Sequence, residues 1–299
     1  MKKVLITGKG SYIGTKVADW LRNKDYIVDV IDMINPEWRS MDFFGYDVVY
    51  HVAGIAHADI TKVSQEEKKI YYKVNCDLAV DVAKKAMKSN VKQFIYMSSL
   101  LVYGDCGNDN LNNIKYITEE TIPKPSNFYG DSKWQAEKNL LKLSNNDFKI
   151  AILRPPMIYG KGCRGNYNNL VSITKCVKIF PKFNNKRSVL YIGNLCEFIY
   201  LLIESGSGGI YWPQNKEQIR TSDFIEEIAQ NHNKKIWVSD KLNWLVFLAT
   251  TIPGKINRYG KKAFGSLVVD TNLSKAFDGK YQIYSFEESI KETESLKDL

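Results

Sequence analysis

The first 155 residues alternate short apolar runs with segments of helical spacing, and this alternation limits the fold more than any other feature. The runs are KVLIT (3–7), YIVDVIDM (26–33), DVVYHVAG (47–54), QFIYMSS (93–99) and KIAILRP (149–155). Each is nearly continuous in apolar residues, as a strand buried on both faces requires. Helical spacing fills 12–23, 65–88 and 130–143. The pattern predicts an α/β fold: a doubly wound parallel sheet whose ligands sit at the carboxyl ends of the strands. The link at 34–46 is short, so one βα unit of the usual six-strand sheet is expected to be trimmed. Past residue 156 the alternation fails, and glycine, asparagine and aromatic residues dominate YGKGCRGNYNN and IYWPQN.

Between the first run and the first helix lies TGKGSYIG, with glycines at Gly8, Gly10 and Gly14. Backbone N–H groups at a helix N-terminus attract a pyrophosphate, and glycines let the chain turn tightly against it. Such a loop alone also fits an ordinary tight turn. Its context strengthens the cofactor reading: a strand before, a helix after, and Asp32 at the end of the next strand. A carboxylate there can bond both hydroxyls of an adenosine ribose and repels a 2′-phosphate, which favours NAD. Lys9 and Arg39 pull toward NADP, which stays open. We therefore expect residues 1–155 to form a Rossmann domain that binds NAD(P). Residues 156–299 are expected to form a smaller substrate-binding lobe, with parts of 188–206 and 264–275 packing back on the sheet.

Further along, MSSLLVYG (97–104) ends a predicted strand, and YGDSK places Tyr129 and Lys133 at i and i+4. On a helix these two share a face, one turn apart. An ammonium below a phenol is expected to lower the tyrosine pKa from ~10. A tyrosine so tuned serves as general acid or base toward a carbinol or ketone. A strand-end serine can orient the same oxygen.

Composition narrows the classes. The five cysteines show no CxxC pair and the three histidines no HExxH spacing. Neither a disulfide framework nor a catalytic metal is expected. No signal peptide is expected, and a reducing cytoplasm is the expected compartment. The +9 net charge favours anionic partners. No basic run is interleaved with aromatics, so nucleic acid is not an expected partner. The stretch WLVFLATTI (244–252) is too short to span a bilayer and is expected as a buried or interfacial helix, with contact at a membrane surface as the lesser alternative.

Taken with DVVYHVAG, YYKVNCDLAVDVAKKA, VKQFIYMSSLLVYG, NFYGDSKWQAE, LRPPMIYGKG and RSVLYIGNLCEFI, the chain resembles an extended short-chain dehydrogenase/reductase. Specifically, it resembles the NAD-dependent epimerase/dehydratase family acting on nucleotide sugars. The resemblance implies a catalytic triad at Ser99, Tyr129 and Lys133; counting back from VYG selects Ser99 over Ser98. It implies a cofactor loop with Gly8 and Gly14 in register, Ser11 in the middle glycine's place and Gly10 one position early. Tyr12 and Ile13 belong to the same loop, and the Ser11 hydroxyl is available to a phosphate oxygen. Ala53, Gly54, Asn75 and Pro156 would line the cofactor, with Lys133 beside it. Met157, Asn166 and Arg187 would meet the nucleotide-sugar substrate, together with Ser99 and Tyr129. A homodimer through helices near 65–88 and 130–143 is also implied.

The family's dehydratases carry an Asp-Glu pair just after the catalytic hydroxyl; here those positions are Leu100 and Leu101, which move no protons. A 4-epimerase or a 4-ketoreductase of surface-polysaccharide synthesis is the expected activity. Asp32 favours the epimerase, with a NAD that stays bound. Met157, standing where many 4-epimerases have asparagine, favours the reductase. A catalytically silent NAD(P)-binding sensor is the outlying alternative, because fold alone does not give activity.

Overall fold

The computed structural model describes residues 1–56, 63–105, 111, 114–251 and 255–295; His57, Cys106 and Ile252 lie outside them. In chain order the first half runs β1 (Lys3–Thr7), α1 (Tyr12–Arg22), β2 (Ile27–Ile31), β3 (Val48–His51), α2 (Gln65–Tyr72), α3 (Leu78–Lys88), β4 (Gln93–Met97), β5 (Ile114–Ile117), α4 (Phe128–Leu141) and β6 (Lys149–Leu153). The second half adds β7 (Met157–Tyr159), α5 (Asn166–Cys176), β8 (Ile179–Pro181), β9 (Val189–Tyr191), α6 (Ile192–Ser205), β10 (Gly209–Tyr211) and α7 (Thr221–Asn231). It ends with β11 (Trp237–Ser239), α8 (Asn243–Thr251), α9 (Lys255–Phe264), β12 (Ser266–Val269) and α10 (Phe286–Glu294).

Six strands form one parallel sheet in the order β2-β1-β3-β4-β6-β10. Successive side chains point to opposite faces, and both faces are covered. Val4, Ile6, Tyr50, Ile95 and Leu153 pack under α1 and α6 through Val17, Leu21, Leu195 and Leu202. Leu5, Val49, Phe94, Tyr96 and Ile152 pack under α3 and α4 through Val82, Ala83, Ala136 and Leu140. This two-sided burial is why the strands read as continuous apolar runs.

The expected trimming holds. Residues 34–46 contain one short 3₁₀ turn, Pro36–Arg39, and β2 is left as an edge strand. The sheet still reaches six strands because Gly209–Tyr211, which reads as irregular chain, pairs with β6 at the opposite edge. The helix expected over 65–88 is split by a turn of π-helix, Lys73–Asp77. Ser266–Val269 pairs with β5, and β7 pairs with β9.

The greasy stretch forms α8, packed on α9 and β8. Val246 is buried beside Phe180 and Phe264. Trp244, Phe247 and Leu248 are exposed by 59%, 45% and 50%. No helix among the described residues is long and apolar enough to cross a membrane.

Candidate active site

The glycine loop, Asp32, Ala53 and Gly54, and Pro156 follow the carboxyl ends of β1, β2, β3 and β6, while Asn75 and Lys133 lie on helices. Gly8 has φ +98° and Gly10 φ +77°, the left-handed region that favours glycine. The Gly8 and Lys9 N–H groups both donate to Ile31 O at 3.0 Å, so the loop is tied to the end of β2 and Asp32 lies beside it. Asp32 is exposed, and its Oδ1 accepts from Ile34 N at 2.8 Å. A Cβ on Gly8 would stand 3.1 Å from the Ala53 backbone, so the loop and the end of β3 touch directly. Tyr12, Ile13 and Gly14 form the first turn of α1, which carries no acidic residue to compete for an anion. Ser11 is the N-cap: its Oγ accepts from Gly14 N at 3.1 Å. Capping uses one lone pair of the Ser11 oxygen and leaves its O–H available to donate to a phosphate oxygen. Arg39, read as a pull toward NADP, lies over the Trp38 ring at 4.6 Å.

Behind the loop, Asn75 is fully buried in the π-turn. Its Oδ1 accepts from Ile55 N at 2.9 Å, and its Nδ2 donates to Ile55 O and Ser132 Oγ, each at 3.1 Å. It clamps the backbone just after Gly54. A Cβ on Gly54 would sit 3.0 Å from Asn75 Oδ1 and 3.1 Å from Lys133 Nζ. The floor of the cradle thus has room for backbone alone. Thr7 Oγ1 and His51 Nδ1 meet at 2.9 Å beneath it. Burial, then the nearby Lys133, pushes His51 down to about 3, so this histidine stays neutral.

The fourth helix delivers the expected reactive pair. Asn127 caps it by accepting from Gly130 N at 3.0 Å. A Cβ on Gly130 would stand only 2.3 Å from Leu101 O, so the helix presses directly on the turn that follows β4. Tyr129 is half-buried, with the Ser99 side chain near enough to pull its pKa down against burial. Ser98 points the other way, and its hydroxyl donates to Glu137. Lys133 is buried; its Nζ donates to Met97 O at 2.8 Å and sits 4.8 Å above the Tyr96 ring. Burial lowers the Lys133 pKa to about 8, opposed by Glu137 one turn on. The i, i+4 spacing predicts that this ammonium lowers the Tyr129 pKa. In the structure the ammonium is turned to the Met97 carbonyl, and burial pushes the phenol up, with Ser99 pulling it partly back.

Sequence reasoning missed the network that holds this arrangement. Arg154, at the end of β6, donates to both Glu137 oxygens, with contacts of 2.6–3.2 Å. It also donates to the Tyr103 hydroxyl at 2.6 Å, which in turn accepts from Trp212 Nε1 at 3.0 Å. Both charges are buried, so each depends on the other. The available signal was an arginine ending an otherwise apolar strand, and a glutamate four residues beyond Lys133.

On the substrate side, Pro156 and Met157 are half-buried at the start of β7. Leu100 N donates to Pro155 O at 2.9 Å, joining this segment to the Ser99 turn. Arg187 is half-buried at a junction where its backbone bridges to Ile219 and Leu267. Asn166 opens α5 in an exposed position, and among the described residues no hydrogen bond joins it to the Tyr129 group.

Residues 4–212 match the NAD dependent epimerase/dehydratase family. The chain belongs to this family. It is 29% identical to a UDP-glucose 4-epimerase of Vibrio cholerae, covering 98% of this chain and 94% of that protein. It is 30% identical to an N-acetyl-α-D-glucosaminyl-diphospho-ditrans,octacis-undecaprenol 4-epimerase of Escherichia coli O157:H7, covering 78% of this chain and 73% of that one. Its fold is similar to a dTDP-4-dehydrorhamnose reductase of Bacillus anthracis in complex with NADP, at TM-score 0.71 and 22% identity, covering 98% and 99% of the two chains. Membership makes this chain an NAD(P)-dependent enzyme of the epimerase and reductase kind.

Proposed function

We propose that the chain is an NAD-dependent 4-epimerase of a sugar carried on a diphosphate. The carrying observation is the approach of Ser99 to Tyr129, one helical turn from a buried Lys133 that packs against Gly54 in the glycine cradle. The close approaches at Gly8 and Gly54 leave backbone surface where a dinucleotide can lie. In this reading Gly8, Gly10 and the first turn of α1 hold the pyrophosphate. Asp32 takes the ribose hydroxyls, and Ala53, Gly54 and Pro156 border the nicotinamide side. Asn75 acts by fixing the Ile55 backbone. When bound, NAD would supply reversible hydride acceptance at the sugar carbon. Tyr129 takes the C4 hydroxyl proton and gives it back, and Ser99 orients the same oxygen. Lys133, charged below about 8 and donating to Met97 O, keeps its ammonium at the floor of the cradle beside Gly54. Met157, Asn166 and Arg187 are assigned to the substrate, with Arg187 facing its diphosphate. Exposed Ile70 on α2 and Leu141 on α4 support a homodimer through those helices.

The Escherichia coli relative favours a second reading of the substrate, in which the sugar diphosphate is carried on a polyprenyl lipid. The exposed apolar stripe of α8 supports it. The test is to assay the purified chain for retained NAD and then incubate it with UDP-hexoses, UDP-N-acetylhexosamines and lipid-linked N-acetylhexosamine diphosphate. Retained NAD with interconversion of C4 epimers is expected. An empty site that prefers NADPH and reduces a 4-keto sugar would replace the epimerase with a reductase.

A further inference from the structure

We infer that α8, with the basic chain around it, docks the protein on an anionic lipid bilayer. The inference rests on the surface alone and not on the proposed reaction. Helix α8 carries no charged residue: its sequence is NWLVFLATT. An uncharged helix with six apolar residues in nine packs them in a core or against lipid. Here only Val246 is fully buried, while Trp244, Phe247 and Leu248 project outward at i, i+3 and i+4. Next to α8, Ile179 of β8 and Trp237 of β11 pair in register and are exposed by 48% and 58%. At nine residues, α8 is about 14 Å long, half of a ~30 Å hydrocarbon layer, so it can lie on a bilayer but not cross it.

Charge selects the partner. Residues 234–262 hold seven lysines and arginines against Asp240 alone, which is six of the chain's +9 charges. Lys235 and Lys241 are exposed on either side of Trp237, and Lys178 and Lys182 flank β8. Exposed apolar side chains with exposed lysines at neighbouring positions suit a surface of acidic headgroups over acyl chains. Tryptophan is enriched at that boundary. A second copy fits less well, because a two-fold contact sets the same patch against itself and would face this positive charge with its own.

The α8–α9 pair is well anchored. Asn257 Nδ2 donates to Thr250 O, and a Cβ on Gly260 would lie 3.0 Å from Thr250. Val246 plugs α8 into the Phe180–Phe264 cluster. The exposed stripe can therefore be altered without removing the contacts that hold the helix.

The experiment is co-sedimentation of the purified chain with vesicles of phosphatidylcholine alone and of phosphatidylcholine mixed with phosphatidylglycerol. Binding to the anionic vesicles only, weakened by salt, is expected. The variant Trp244→Ser/Leu248→Gln should lower the partition coefficient about tenfold or more, with an unchanged thermal midpoint confirming its fold. Lys235→Glu/Lys241→Glu should lower it separately, chiefly at low salt. No sedimentation with anionic vesicles, or equal binding by both variants, overturns the proposal. Conversion of a dimer to a monomer by the apolar variant, without vesicle binding by the parent, would instead make this face a contact between copies.

Discussion

The two sides of the candidate site are held by different physics. The loop side is built from backbone: Gly8 against Ala53, Ser11 capping α1, and Asn75 gripping Ile55. The α4 side is built from buried charge: Lys133, Glu137 and Arg154, joined by hydrogen bonds to Ser98, Tyr103 and Met97. A cradle for a large polar ligand needs close approach and free N–H groups, which short side chains provide. A proton-transfer group needs a fixed electrostatic setting, which a paired network in a low-dielectric interior provides. The two sides should therefore fail in different ways.

Charge removal on the α4 side is the harshest test of stability. Glu137→Gln leaves Arg154 buried without its partner, and breaking such a pair costs about 3–5 kcal/mol. Chemical denaturation should show that loss. The same variant has a second readout. Glu137 raises the Lys133 pKa, which burial holds at about 8. With that carboxylate neutralised, the ammonium is less favoured and its pKa falls. The limb of the pH–rate profile that belongs to Lys133 should then move to lower pH. A fall in stability with no movement of the limb would reduce Glu137 to a structural role.

Next in size is Gly130→Ala. The added Cβ would meet Leu101 O at 2.3 Å, so α4 must shift, and overpacking of this kind costs about 1–3 kcal/mol. The shift separates Tyr129 from Ser99, so turnover should fall while NAD affinity holds. Smallest is Ser11→Ala on the loop side. Loss of an N-cap costs about 0.5–2 kcal/mol, typically near 1. Its thermal midpoint should drop modestly and NAD should bind more weakly, with little change in the rate at saturating cofactor. Strong loss of turnover in Ser11→Ala, or of NAD affinity in Gly130→Ala, would break the division between the two sides.

The parts of this division that rest on local pattern were legible in the sequence. Strands β1, β3, β4 and β6 are legible because burial on both faces leaves apolar runs, and Tyr129 and Lys133 because i, i+4 spacing is a property of any helix. Gly209–Tyr211 was not legible: three residues, beginning with glycine, carry too little pattern to mark an edge strand. The π-turn at Lys73–Asp77 adds one residue to a turn and barely disturbs helical spacing, so 65–88 read as one helix. The Glu137–Arg154 pair depends on how α4 lies over β6, which no local pattern encodes. The orientation of Lys133 was missed for a related reason. Shared placement on a helix face does not decide whether the ammonium meets a phenol or a strand-end carbonyl, and here it meets Met97 O.

The central claim is that Tyr129 moves the proton while a separate backbone cradle holds the cofactor. Its most direct test is to measure NAD affinity and C4 epimerisation side by side for the parent chain and Tyr129→Phe. The expected result is nearly unchanged NAD affinity with turnover lower by about 10²–10⁴-fold, the usual share of a general acid–base group. Equal loss of affinity and turnover, or turnover that survives the substitution, would contradict it.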